Sequence, residues 1–192
     1  MSGLGIEPAM PAEKFVQSAA AMLAFPQGGR LAEFDAFPAP VYATDQEGKL
    51  TYFNLACVEF AGRVPAVGED RFCVSWKLQS DDGAPLPHDQ CPMAIALREN
   101  RPVRGIEAFA ERPDGGRRHF RPFATPAHDA TGNLIGGVNL LVPTDGEACR
   151  ELLSTAQKCR RLSKWVDDAS TSATLTHMAV ECEGHAAVLT LD

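Results

Sequence analysis

Six cysteines and five histidines are the side chains of this sequence best suited to metal or redox chemistry. No two cysteines form a Cys-x-x-Cys pair, which excludes zinc-ribbon and thioredoxin-like motifs. No histidine has a metal-ligand spacing with a cysteine or a carboxylate, so we predict no metal site. We interpret the cysteines as reduced, small core residues of a cytoplasmic protein. They are Cys57, Cys73, Cys91, Cys149, Cys159 and Cys182.

The sequence lacks the short motifs that carry enzymatic chemistry. It contains no Gly-x-Ser-x-Gly elbow, no P-loop and no His-Glu-x-x-His segment. Asp81, Asp82 and Asp89 lie close together, but a loop with several carboxylates is usually just a solvated loop. We therefore predict that the protein is not an enzyme.

Composition and charge narrow the class of protein further. The 192 residues carry a formal net charge of -7, which argues against a nucleic-acid-binding surface. Hydrophobic residues make up 45%, so a chain of this length can form a core without disulfide or metal support. No run of about 18 apolar residues is present, and we therefore predict no membrane-spanning segment and no membrane partner.

Periodicity and turn residues predict an N-terminal helix, a mixed α+β middle and two C-terminal helices. The middle begins with a hairpin and ends with three antiparallel strands joined by short, glycine-containing turns. Pro122 cannot donate to a strand ladder, so we expect an irregularity there. The predicted helices are 12–25, 55–62, 91–100, 147–165 and 169–189, and the predicted strands are 41–44, 49–54, 103–111, 117–125 and 133–142.

The last predicted helix carries apolar residues at alternating steps of three and four, which is typical of a heptad seam. Such a seam is too short to form a stable isolated coiled coil, so the helix needs the sheet or a second protomer. The seam residues are Leu175, Met178, Cys182, His185 and Leu189.

The order of these elements, together with several turn motifs, resembles a PAS sensor domain. The segment 39–54, with its Asp45-Gln46-Glu47-Gly48 turn, is similar to the opening hairpin of that family. The segments 112–116 and 128–139 are similar to the part of that family that contains its last three strands and their turns. The segment 76–87 resembles a PAS subgroup often attached to bacterial histidine kinases.

The resemblance extends from about Phe34 to Val142 and suggests three parts. We expect a helical extension at 1–33, a PAS-like sensor domain at 34–143 and a helical segment at 144–192. Pro143-Thr144-Asp145 stands where many PAS domains have an Asp-Ile-Thr-like triplet before an output helix, so the joint departs from the family pattern.

The resemblance also implies a fold and a binding site. The fold is α+β, with a five-stranded antiparallel sheet that carries helices on one face. A cavity between that face and the helix at 91–100 would suit a small organic ligand, although side chains alone can also fill such a space. The lining residues that the resemblance implies are Trp76, Met93, Leu97, Phe109, Phe120 and Asn139.

Two cofactors found in some PAS domains match this sequence poorly. The segment 68–73 departs from the photoactive flavin motif, because Cys73 follows the phenylalanine and the asparagine and glutamine are missing. His88 is the nearest candidate for a haem ligand, but a histidine just before a helix is more often a cap or a surface residue. The sequence therefore identifies no cofactor.

We predict a sensory or signal-transduction protein of bacterial type that binds a small molecule or a partner. It would signal through its flanking helices, as a homodimer or through a signalling protein in trans, because these residues contain no recognisable kinase domain. The alternative is a constitutive dimerisation or adaptor module with a filled, ligand-free core. An empty cavity favours the sensor, and a filled one favours the adaptor.

Overall fold

The computed structural model describes residues 12–23, 34–35, 37, 39–144 and 146–189. These residues divide into two compact units, 12–144 and 146–189. Among the described helices, none is both long enough and apolar enough to cross a membrane.

The first unit contains three helices, eight strands and a short 3-10 turn at His88–Gln90. In chain order its elements are α1 (Ala12–Leu23), β1 (Val41–Asp45), β2 (Leu50–Phe53), α2 (Leu55–Ala61), β3 (Lys77–Ser80), β4 (Pro85–Leu86), α3 (Pro92–Glu99), β5 (Ala108–Glu111), β6 (Arg117–Pro122), β7 (Thr125–His128) and β8 (Leu134–Pro143).

The strands form one antiparallel sheet in the order β2-β1-β8-β6-β5-β3-β4, with β7 paired to β8. The five strands expected from the sequence (β1, β2, β5, β6 and β8) are neighbours within this order. The α+β class with an antiparallel sheet is therefore confirmed, and β3, β4 and β7 extend the sheet beyond the expected strands.

Local side chains explain where the first elements begin and end. Asp45 Oδ1 accepts hydrogen bonds from the amides of Glu47 and Lys49, which closes the turn between β1 and β2. Asn54 caps α2, because its Oδ1 accepts from the amide of Cys57 while its Nδ2 donates to three backbone carbonyls upstream. Gly62 ends α2 in the left-handed conformation, as the sequence predicted.

Three local expectations were wrong or incomplete. None of the predicted strands falls at 72–90, yet this stretch contains the β3–β4 hairpin, because Asp82 accepts from the hydroxyl of Ser80 and the amide of Ala84 and so stabilises the turn. His88, which its place just before the helix made a possible cap, does not cap α3: the cap position belongs to Cys91, whose side chain makes no capping bond. The predicted strand at 117–125 breaks after Pro122, at the expected irregularity, and β7 then pairs with β8.

The core of the first unit lies on the face of the sheet that α2 and α3 cover, called here the inner face. Phe120 of β6 points into it and meets Phe60 of α2 edge-on, with ring centroids 5.3 Å apart. Its other members include Tyr42, Leu50, Leu78, Met93, Leu97 and Leu141.

The opposite, outer face is covered in part by α1, which contacts β7 and β8. Phe15, Val16 and Ala19 of α1 are buried. The Arg104 guanidinium holds the helix by binding Glu13 through two nitrogens at 2.5 and 3.0 Å. The N-terminal helix that the sequence predicted therefore packs on the outer face of the sheet.

The second unit is a helical hairpin of α4 (Glu147–Ser163) and α5 (Ala169–Leu189). Asp168 caps α5 by accepting from the amide and hydroxyl of Thr171. The two helices meet through Ala156, Cys159 and Ala179. Met178, a predicted seam residue, is 43% exposed instead, because the small Ala179 is the residue that packs against α4. The side chains of His185 and Leu189 lie outside the described residues.

Candidate functional site

A buried polar pair lies on the inner face where β1 and β8 run side by side. Tyr42 and Asn139 are opposite each other in this register. The Nδ2 of Asn139 donates to the Tyr42 hydroxyl at 3.0 Å, and that hydroxyl donates to the Phe72 carbonyl at 2.8 Å. Burial raises the pKa of Tyr42 well above its ordinary value, and the neighbouring Cys73 raises it further. The phenol is therefore neutral and serves as a hydrogen-bond donor.

Two buried oxygen atoms beside this pair have no hydrogen-bond partner among the described residues. They are Asn139 Oδ1 and Thr44 Oγ1, on side chains that are each 2% exposed. Thr44 follows Tyr42 by two residues and so points to the same face of the sheet. An unpaired polar atom in a dry interior costs about 1–3 kcal/mol, so each oxygen is suited to accept a hydrogen bond from a ligand.

Helix α3 closes over this face at Gly137, the β8 residue opposite Thr44. A Cβ atom at this position would lie 2.8 Å from Met93 Sδ and 3.2 Å from Leu97 Cδ2. Glycine is therefore needed here for the close approach of α3. It follows that Met93 and Leu97 already fill the space directly above Gly137.

A surface depression of about 230 Å³ adjoins the same helix. Its apolar wall includes Phe72, Ala94 and Leu97, and Glu47 and Arg98 contribute charge at its edge. Phe72 has a backbone φ of 63°, a left-handed conformation that is unfavourable for a non-glycine residue. Because the Phe72 carbonyl accepts the Tyr42 hydrogen bond, this strained residue connects the depression with the buried polar pair.

Three thiols belong to the same core: Cys57, Cys73 and Cys91. Burial raises the pKa of Cys91 to about 12 and also raises the pKa values of the other two. A thiol is reactive or metal-binding mainly as the thiolate, so these groups are protonated and chemically quiet. None of the described cysteines forms a disulfide.

The structure brings together four of the six lining residues expected from the resemblance. Met93, Leu97, Phe120 and Asn139 are buried on the inner face. Trp76 is 43% exposed and lies under the ammonium of Lys77. Phe109 points to the outer face, where its ring packs against the His119 imidazole at a centroid distance of 4.4 Å. The sequence reasoning missed Tyr42 and Thr44, although their alternation within β1 is a signal that could have indicated them.

His88, the candidate haem ligand, is partly buried, and its Nε2 has no partner among the described residues. Burial lowers its pKa, and the nearby Arg63 lowers it further. Its charged neighbours, which include Arg63 and Asp70, differ from the apolar surroundings of the inner-face core.

The comparison with models of protein families assigns the chain to a family. A family model described as PAS fold matches residues 34–144, which is more than half of the chain. The chain belongs to the PAS fold family. Membership supports a sensory, signal-transducing domain, and PAS domains are in general sensory rather than catalytic.

Similar solved structures include PAS and LOV domains. The LOV protein of Rhodobacter sphaeroides is 15% identical, with 82% of this chain and 90% of that chain covered and a TM-score of 0.45. The PAS domain of BvgS from Bordetella pertussis is 19% identical, with 68% and 93% covered and a TM-score of 0.41. At such identities the likeness concerns the fold alone. No curated protein matches the sequence significantly.

Proposed function

We propose that this chain is a PAS-type sensor that binds a small, neutral organic molecule at the inner face of its sheet. The observation that carries the proposal is the buried Oδ1 of Asn139, which has no hydrogen-bond partner within the described part of the chain. Its own amide nitrogen is already used by Tyr42, so Oδ1 is free to accept a hydrogen bond from a ligand hydroxyl or N–H group. Thr44 Oγ1 offers a second polar contact nearby.

The chemistry of the inner face argues for an uncharged ligand. Among the described residues no charged side chain is buried, and the buried polar ones are Thr44, Asn54, Ser75, Thr125 and Asn139. A charged ligand would lose its hydration there without an opposite charge to compensate. The depression beside Phe72 and Leu97 provides the entrance in this proposal. Its volume of about 230 Å³ is below the roughly 300–1,000 Å³ of pockets for drug-sized ligands, so the proposed ligand is a smaller molecule.

The proposed signal is a repacking of β8. Asn139 lies in the middle of β8, which pairs with β1, β6 and β7 and ends at Pro143, just before the segment that leads to α4. A ligand on Asn139 can favour one arrangement of this strand only by binding it better than the other. The flanking helices would then carry the change to a signalling partner in trans or to a second protomer.

We further propose that the helical hairpin mediates a homodimer. Leu153, Leu162, Trp165, Met178 and Val180 are exposed on it, between 42% and 82%. Burial of several such side chains against a second copy would stabilise a dimer by the hydrophobic effect. The proposal also includes a cytoplasmic location for the protein, as expected from the sequence.

The alternative function, a constitutive adaptor with a filled core, is favoured by a different observation. Met93 and Leu97 approach the Gly137 position so closely that even a Cβ atom would have to displace them. In that case the Asn139 oxygen, which has no partner among the described residues, lowers the stability of the fold somewhat, and the inner face binds no ligand.

Native mass spectrometry of the full chain, with an absorption spectrum, separates the two functions. The sensor predicts a mass excess that Asn139→Leu abolishes, because leucine cannot accept the ligand's hydrogen bond. Gln79→Leu is the matched control, since Gln79 is on the opposite face of the sheet and its loss should leave the bound mass unchanged.

The adaptor predicts a clean polypeptide mass for all three proteins. It also predicts that Asn139→Leu changes the stability little, because the substitution removes an unpaired buried oxygen together with the hydrogen bond to Tyr42, whose hydroxyl keeps its bond to the Phe72 carbonyl. The same spectra report the oligomeric state, and a strict monomer would contradict the proposed homodimer.

A further inference from the structure

A second group of polar side chains converges on the outer face, away from the inner-face site. Asp81 follows β3, Glu107 precedes β5 and His119 lies on β6. His119 Nε2 is 3.2 Å from Asp81 Oδ1 and 3.4 Å from Glu107 Oε2. One oxygen or nitrogen atom from each residue lies within 4.8 Å of the others.

Two residues outside this group fix the direction of its ligand atoms. Arg121 binds Glu107 through Oε1, at 2.8 Å, which leaves Oε2 turned towards the histidine. The Thr144 hydroxyl lies 2.6 Å from His119 Nδ1, so the opposite ring nitrogen, Nε2, faces the two carboxylates. Metal-binding histidines and carboxylates are usually held by neighbours in this manner.

We propose that Asp81, Glu107 and His119 form a binding site for a first-row divalent cation. Ligand atoms that bind a metal at about 2.1 Å are separated by about 3.0 Å in octahedral and about 3.4 Å in tetrahedral geometry. The two distances from His119 Nε2 agree with this range. The proposal is independent of the inner-face ligand, since it uses none of the residues of that site.

The donor set indicates which ions the site suits. One imidazole and two carboxylates favour Mn²⁺, Fe²⁺, Co²⁺ or Zn²⁺ over the soft ions that prefer thiolates. The Asp81 side chain is 71% exposed, and Asp81 and Glu107 line an open groove of about 860 Å³. Water would complete the coordination from this side, so the site is an open one.

The site is connected to the end of β8 through Thr144, the last described residue before Gly146. The Thr144 amide donates to the His119 carbonyl at 3.0 Å, in addition to the contact between its hydroxyl and the ring. A cation on Nε2 would therefore hold the ring and this strand end in one arrangement. Thr144 acts here as a positioning residue rather than as a ligand.

The competing explanation is an ion pair between a protonated His119 and the two carboxylates, with no metal. Titration of the full chain with Mn²⁺, followed by the loss of the free-ion electron paramagnetic resonance signal, separates the two. Mn²⁺ is preferable to Zn²⁺ as a probe, because it is paramagnetic and prefers oxygen ligands such as carboxylates. We expect one Mn²⁺ per chain.

The variants test each role. Asp81→Asn and Glu107→Gln should each weaken Mn²⁺ binding by roughly tenfold or more, since each removes a charged ligand. Glu69→Gln is the control: it removes one carboxylate charge at an exposed position outside this group, so binding should be unchanged. Thr144→Val should weaken binding by about 10- to 100-fold through loss of ring orientation.

Absence of Mn²⁺ binding at millimolar concentration would overturn the proposal in favour of the ion pair. Equal binding by Asp81→Asn and the parent would overturn it too, because the ion would then be bound elsewhere. Unchanged binding by Thr144→Val would overturn the positioning role alone.

Discussion

The two faces of the sheet offer opposite chemical environments, although they are built from alternate residues of the same strands. On β6, Phe120 points inward and meets Phe60, whereas its neighbour His119 points outward and meets Asp81 and Glu107. The inner face keeps Tyr42 and the three core thiols neutral, because burial raises their pKa values. The outer face instead carries ion pairs, such as those of Arg121 with Glu107 and of Arg104 with Glu13.

The difference shows that desolvation, more than residue type, decides what each face can bind. A polar group on the inner face must find a hydrogen bond in a dry environment, and Asn139 Oδ1 has not found one among the described residues. A carboxylate on the outer face keeps its hydration and its charge, so it can attract a cation. Substitutions of the same kind on the two faces should therefore have unequal effects.

The largest effect is expected for a charge placed on the inner face. Leu97 of α3 is 7% exposed and approaches Gly137 of β8. Leu97→Glu would bury an unpaired carboxylate and lose apolar packing, so we expect a loss of about 4 kcal/mol or more in the free energy of unfolding. Urea denaturation of the full chain measures this loss.

Arg98→Glu is the control for Leu97→Glu, because it introduces the same side chain one residue later at an exposed position. We expect a change below about 1 kcal/mol. If Leu97→Glu were as stable as this control, the position of α3 over the inner face would be wrong.

Much of the fold was predictable because its signals are local. The Asp45 turn, the Asn54 cap and the Gly62 helix end each depend on a few consecutive residues. The order of five strands followed from the resemblance to the PAS family. Pro122 also marked the break between β6 and β7, since proline cannot donate to the ladder.

The candidate sites were less predictable because their contacts are distant in sequence and depend on strand parity. Asn139 contacts Tyr42 although 97 positions separate the two residues in the sequence. Phe109 was expected inside, but the small Ala108 and Ala110 occupy the inner face and the ring packs against His119 outside. The outer-face group draws its members from three separate segments, so no spacing rule could indicate it.

A smaller effect is expected when the buried hydrogen bonds of the inner face are broken. Tyr42→Phe removes the hydroxyl that donates to the Phe72 carbonyl and accepts from Asn139. The buried Asn139 amide would lose this partner, so we expect a loss of about 2 kcal/mol. Thermal or urea unfolding measures it.

Tyr52→Phe is the matched control for Tyr42→Phe, since the Tyr52 hydroxyl binds Asp35 at 2.7 Å in an exposed position. Water can replace that bond, and we expect a change of about 0.5 kcal/mol or less. Equal losses for the two variants would contradict the proposed contrast between the dry polar pair and a solvated hydroxyl.

The smallest effect is expected on the outer face, where α1 is held by the ion pair of Glu13 and Arg104. The hydrogen bond from Arg104 lowers the pKa of Glu13 below its ordinary value, an effect that partial burial opposes. A carboxylate with a lowered folded-state pKa stabilises the fold above the ordinary glutamate pKa, and this contribution disappears as the pH falls through the folded-state value.

The Glu13 side chain is 44% exposed, so solvent screening limits the coupling to about 0.5–1 kcal/mol. A double-mutant cycle of Glu13→Gln and Arg104→Gln, measured by urea unfolding, should show this coupling near pH 7 and a smaller coupling near pH 3. The cycle cancels the bonds that Arg104 also makes to backbone carbonyls. The absence of any coupling at pH 7 would mean that α1 is held by apolar packing alone, and that the contrast between charged and neutral faces does not extend to this helix.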